Sequence, residues 1–135
     1  MKIILTLVFA FCFCSTHAQT DTIKTDTSEI VIYKNPEVPA TYLGGPSAWF
    51  PYLSKNLRYP EEALNHNHVQ GAVVTRFIVD SIGHSHHFVS VSGPEELREE
   101  AIRVIKNVEI WVPATNAGKT VNSWKEQEIR FKLVN

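Results

Sequence analysis

The sequence predicts an α+β domain: a small antiparallel three-stranded sheet with two main helices packed on one face, in the order helix, strand, strand, helix, strand. Three observations carry that expectation. After Gly71 the period becomes two with one face apolar and the other mixed, apolar residues recur at intervals of three and four between Leu97 and Val108, and alternation returns between Glu126 and Val134. With 135 residues, 44% of them apolar, the chain has room for one domain of modest core.

Taken in order, residues 1–18, "MKIILTLVFAFCFCSTHA", read as a signal peptide: Lys2, an apolar run from Ile3 to Cys14, then small and polar residues before Gln19. As a helix, Ile3 to Cys14 spans roughly 18 Å, short of the ~30 Å of a bilayer core, which argues against a retained span. Phe11 and Phe13 precede the two cysteines where a lipoprotein needs small residues, which argues against lipidation. Cleavage after Ala18 removes Cys12 and Cys14 and leaves a mature chain without thiols. Loss of Lys2 makes the formal net charge of −1 one unit more negative, a balance unsuited to nucleic acid.

Residues 19–36 form a polar, Thr-rich, flexible leader with a short strand at Ile30–Tyr33, ended by Pro36 and Pro39. Residues 37–135 make the domain. Trp49, Phe50, Leu53 and Leu57 share one helical face, with Pro51 in the first turn or at a kink. Tyr59-Pro60 breaks that helix, and Pro60 opens a short second one. Val69, Gly71, Val73, Thr75, Phe77 and Val79 form the core face of a central strand. Asp80 to Gly83 turns the chain, and His87 to Val91 returns with Val89 and Val91 on one side and Phe88 on the other, a register the residues leave open. Ser92 or Gly93 caps the firmest helix, whose stripe is Leu97, Ala101, Val104, Ile105 and Val108. Arg103 lies off the stripe as a solvated charge, and Trp111 closes the core. Residues 111–124 read as a loop turning at Asn116 to Gly118. The last strand sets Ile129, Phe131 and Leu133 against charged neighbours, which suits an exposed sheet edge.

The segments "GGPSAWFPYLSKNLRYPEEA", "VQGAVVTRFIVDSIG", "PEELREEAIRVIKNVEIWVPATNAGKTV" and "IRFKL", in this order, resemble the TonB C-terminal domain of Bacteroidetes-type energy transducers, here in a free-standing secreted form. The resemblance covers about residues 37–134. It implies a periplasmic protein-interaction domain, linked to TonB-dependent transport, that binds the plug or TonB box of outer-membrane receptors by strand addition. The matching positions are the edge residues Gln127, Glu128, Ile129, Arg130, Phe131, Lys132 and Leu133, with Tyr59 and Pro60 as receptor contacts. Such an edge also permits strand-exchanged homodimers. Energy transduction is not carried over, because the sequence shows no Pro-rich spacer; a membrane-anchored transducer is the alternative if the N-terminus stays uncleaved.

An enzyme is not expected. Asp80 is the only aspartate after Asp26, and no nucleophile elbow, phosphate loop or zinc-protease motif is present. Five of the six histidines fall between His66 and His87 and pose a second alternative, a metal-buffering protein. A strand of about ten residues, roughly 33 Å, separates His66 and His68 from His84, His86 and His87. The weak metal candidates His84 and His86 supply two imidazoles where tight zinc binding takes three or four ligands, so no cofactor is expected. The intact mass of the exported protein should correspond to a chain beginning at Gln19; a mass that includes residues 1–18 would restore the anchored alternative.

Overall fold

The computed structural model describes residues 29–134, so the signal-peptide reading and most of the leader lie outside the described residues. Its centre is strand β3 (Gly71–Val79), flanked by β4 (Ser85–Ser92) and β7 (Lys119–Phe131), both antiparallel to it. The period-two alternation sends Val73, Thr75, Phe77 and Val79 into the interior with no exposed surface. The β3–β7 register runs without interruption from Gly71 opposite Phe131 to Val79 opposite Ser123.

The sheet departs from the three-stranded antiparallel expectation: it has five strands and is mixed. Strand β1 (Ile32–Tyr33) pairs in parallel with Asn122 and Ser123, and β6 (Ala114–Asn116) pairs antiparallel with the start of β7. A separate two-stranded sheet joins β2 (Thr41–Tyr42) to β5 (Trp111–Val112). Strands of two or three residues leave no periodic signal, so residues 111–124 read as a loop. The turn expected at Asn116 to Gly118 is present, as the tip of a tight hairpin. Both Ala117 (φ 50°) and Gly118 (φ 75°) are left-handed, the geometry of a two-residue turn matched to strand twist. It starts β7 at Lys119, well ahead of Glu126.

Three helices, α1 (Pro46–Asn56), α2 (Glu61–Asn65) and α3 (Glu95–Lys106), contribute to one core against the inner face of the sheet. The α3 stripe is as its spacing predicts, with Leu97, Ala101, Val104 and Ile105 fully buried and Val108 nearly so. Its N-cap is Pro94, without a side-chain bond, and not Ser92 or Gly93. In α1, Pro51 stands mid-helix, where the exposed position leaves the unpaired carbonyl to water. Trp49 is buried, but Phe50 is 65% exposed and does not join the core. Tyr52 takes the inward place, donating its hydroxyl to the Val104 carbonyl at 2.7 Å.

Arg103 is not a free solvated charge. Its guanidinium donates to Glu100 at 2.6 and 2.7 Å and to the Asn56 carbonyl at 2.7 Å, tying α3 to the end of α1. Burial pushes the Glu100 carboxyl up, but the bonds from Arg103 and from the Arg58 amide outweigh it and hold the group below the usual carboxylate range. In β4, Phe88 turns inward and stacks on Phe77 at 5.5 Å, while Val89 and Val91 are about half exposed. Two register shifts in the β3–β4 pairing produce that choice.

Trp111 closes the core as expected, fully buried, with ring centroids 5.1 Å from Phe77, 5.7 Å from Trp49 and 6.0 Å from Tyr42. Its amide donates to the Gly83 carbonyl at 2.9 Å. A Cβ on Gly83 (φ 94°) would lie 2.3 Å from the Trp111 oxygen, whereas one on Gly118 would meet nothing. In urea unfolding, Gly83→Ala is therefore expected to cost about 3 kcal/mol and Gly118→Ala about 1 kcal/mol, the conformational penalty alone.

Candidate functional site: an open strand edge beside α1

Along its first residues β7 is covered, by β6 at Lys119–Val121 and by β1 at Asn122–Ser123. From Trp124 to Phe131 it pairs with β3 on one side, and no described strand pairs with the other. Alternate N–H and C=O groups of this stretch face outward, a template for a further strand. The opposite edge of the sheet, β4, is broken by its two register shifts and by a left-handed His87 (φ 54°), which is how edges are made unfit for pairing. The two edges thus differ, and β7 is the regular one.

Beside the open edge lies a groove of about 770 Å³. One wall is α1, with Phe50 and Leu53, and the Leu57 that ends it; the other is β7, with Gln127, Arg130 and Phe131. Tyr59 stands between them, its ring edge-on to Phe131 at 5.9 Å and its hydroxyl donating to the Val69 carbonyl. A recess of about 240 Å³ continues the groove upstream, lined by Lys125, Gln127, Tyr42 and Trp49. Away from the groove Glu126 pairs with Arg76 at 2.8 Å, and at its rim Glu128 pairs with Arg130 at 2.7 Å. These pairs are exposed and contribute little to stability, but they keep the edge near neutral.

The residues singled out from sequence divide accordingly. Gln127, Glu128, Arg130, Phe131 and Lys132 line the groove, as does Tyr59. Ile129 is fully buried and belongs to the core. Lys132 and Leu133 lie beyond the end of β7, and the Leu133 amide donates to the Gln70 side chain at 2.9 Å. Pro60 caps α2 and faces a different recess, with Arg58 and Glu96. The sequence reading missed Phe50, Leu53 and Leu57 as groove residues and missed Lys125. Trp49 and Phe50 are adjacent, so about 100° apart on a helix and unable to share the centre of one face; that was the available signal for Phe50.

The histidines do not assemble a site. His86 bonds the Asp80 carboxylate at 2.8 Å, and the backbone amides of His84 and Ile82 bond the other oxygen of Asp80 at 2.9 and 3.1 Å. Among the described residues no group of three or more His, Cys, Asp or Glu side chains is placed to hold a metal. Nor is any described helix long and apolar enough to cross a membrane.

A sheet with one regular open edge, set beside an apolar helix flank, defines a domain suited to receiving another chain. Residues 55–133 match the family described as the Gram-negative bacterial TonB protein C-terminal, and the protein belongs to that family of protein-interaction domains. No curated protein and no solved structure matches the chain.

Asp80 organises the β3–β4 turn electrostatically. Partial burial pushes its carboxyl up, yet the bonds from His86 and from the His84 and Ile82 amides prevail and hold it below the usual range. A depressed folded pKa stabilises the fold above the unfolded value, near 3.9, and that contribution is lost as pH falls through the folded value. Asp80→Asn should cost about 1 kcal/mol at pH 7, with the difference from the parent shrinking below about pH 4; urea unfolding across that range measures it.

Proposed function

We propose that the protein is a periplasmic interaction domain that takes the TonB box, or a neighbouring plug segment, of an outer-membrane TonB-dependent receptor as an added strand on β7. Membership of the family supports the periplasmic setting and the class of partner. The single observation that supports the mode is the unbroken β3–β7 ladder whose far side is open from Trp124 to Phe131. Main-chain hydrogen bonds supply affinity in such an addition, and side-chain pockets on one face supply selection. Phe50, Leu53 and Leu57 provide that apolar face. Phe50 is 65% exposed, so covering it with a peptide side chain contributes about 1 to 2 kcal/mol. The same edge serves strand exchange between two copies, which competes with the peptide for one set of backbone groups.

Titration with plug-segment peptides from receptors of the same organism, followed by NMR, should shift amides from Trp124 to Leu133. Methylation of alternate peptide nitrogens should weaken binding about tenfold or more, since each removes a donor. Phe50→Glu should weaken it as well while leaving unfolding midpoints unchanged. Absence of shifts in this stretch, or shifts confined to β4, would sink the reading.

A further inference from the structure

We infer that β1, with Lys34 and Asn35 behind it, is the stop that sets the register of a strand added to β7. This rests on the strand-addition reading and concerns where along the edge a partner comes to rest. A slip of one residue turns a partner's side chains to the other face, but a slip of two restores the face and the backbone bonding pattern. The β3–β7 register is uninterrupted from Val79 to Gly71, so the backbone alone favours neither of two placements a dipeptide apart. A boundary at each end of the open stretch does.

One boundary is the end of β7 at Phe131, past which the Leu133 amide turns to the Gln70 side chain. The other is β1. Ile32 and Tyr33 lie beside Asn122 and Ser123 on the side of β7 away from β3, in line with the open stretch that begins at Trp124. Because β1 runs parallel to β7, it points along that stretch, and a bend at Lys34 and Asn35 then carries the chain off it. Lys34 and Asn35 line one recess of about 470 Å³ with Trp124 and Glu126, so they stand beside the first open positions. The segment is next clamped to β6 and its turn. Val38 and Thr115 exchange backbone bonds at 3.1 and 3.0 Å, the Glu37 amide donates to the Asn116 side chain at 3.2 Å, and the Ala117 amide donates to the Glu37 carboxylate at 3.2 Å. So held, β1 does not slide along the edge. Neither Ile32 nor Tyr33 belongs to the hydrophobic core or to the residues packed on it, so the strand adds little to packing and its effect is to end the open stretch. A longer partner reaches Asn122 and Ser123 only by expelling β1, which trades one set of backbone bonds for another.

The test uses a plug-segment octapeptide, which spans Trp124 to Phe131 residue for residue, and the same peptide lengthened by a threonine and a valine at its N- or its C-terminal end. For the unaltered protein all three should bind within about twofold of one another. Replacing both strand residues, Ile32→Pro with Tyr33→Pro, leaves β1 no amide to pair with β7 and leaves the core residues in place. One lengthened peptide, the one that grows toward Asn122, should then bind about fivefold tighter than the octapeptide. In the unaltered protein, a nitroxide on the corresponding end of the octapeptide should broaden the Lys34 and Asn35 amides. If a lengthened peptide gains as much on the unaltered protein as on the variant, if neither gains on the variant, or if a nitroxide at neither end reaches Lys34 and Asn35, the stop is overturned and strand addition stands. If no peptide shifts the β7 amides, strand addition falls and the stop with it.

Discussion

The uninterrupted antiparallel ladder between β3 and β7 is the constraint on which the remaining structure depends. Because Gly71 to Val79 meet Phe131 to Ser123 in one register, the two strands share a single inner face. Val73, Thr75, Phe77, Ser123, Ile129 and Phe131 all point to the helices. A slip of one residue in β7 would turn Ser123, Ile129 and Phe131 to the opposite face. The same regularity leaves β7 free of bulges along β3 from Ser123 to Phe131.

The helices are fitted to that face unequally. Helix α3 covers β3 with a continuous apolar stripe, and its Arg103 and Glu100 hold the end of α1 and the Arg58 amide. Helix α1 contributes Trp49 and Tyr52 to the core but leaves Phe50 standing over the groove. An exposed aromatic beside unpaired backbone leaves stability unclaimed by the isolated domain, and binding can recover it. Trp111 joins the two parts: it packs on Phe77 of the sheet and Trp49 of α1, and it is pinned to the β3–β4 turn at Gly83.

Much of this was legible in sequence. Alternation through β3 and the three-four spacing of α3 identify buried faces because each depends on one element's own period. Asp80 to Gly83 is legible as a turn because its residues carry their own backbone preferences. The charged, alternating end of β7 reads as an edge, and the structure leaves its far side open from Trp124 onward. The short strands β1, β2, β5 and β6 were not legible as a set, since two or three residues hold no period and exist only by pairing with partners remote in sequence.

The sequence by itself determined the fold class, the inward faces of the central strand and of α3, and the family whose ordered motifs it carries. Tertiary structure decided which way β4 faces, because its register shifts turn Phe88 inward against Phe77 and leave Val89 and Val91 out. It also brought Phe50 of α1, Tyr59 and Gln127 of β7 around one groove. Local periodicity shows which side of an element is apolar. Whether that side meets the core, a neighbouring strand or open water depends on where distant segments come to rest.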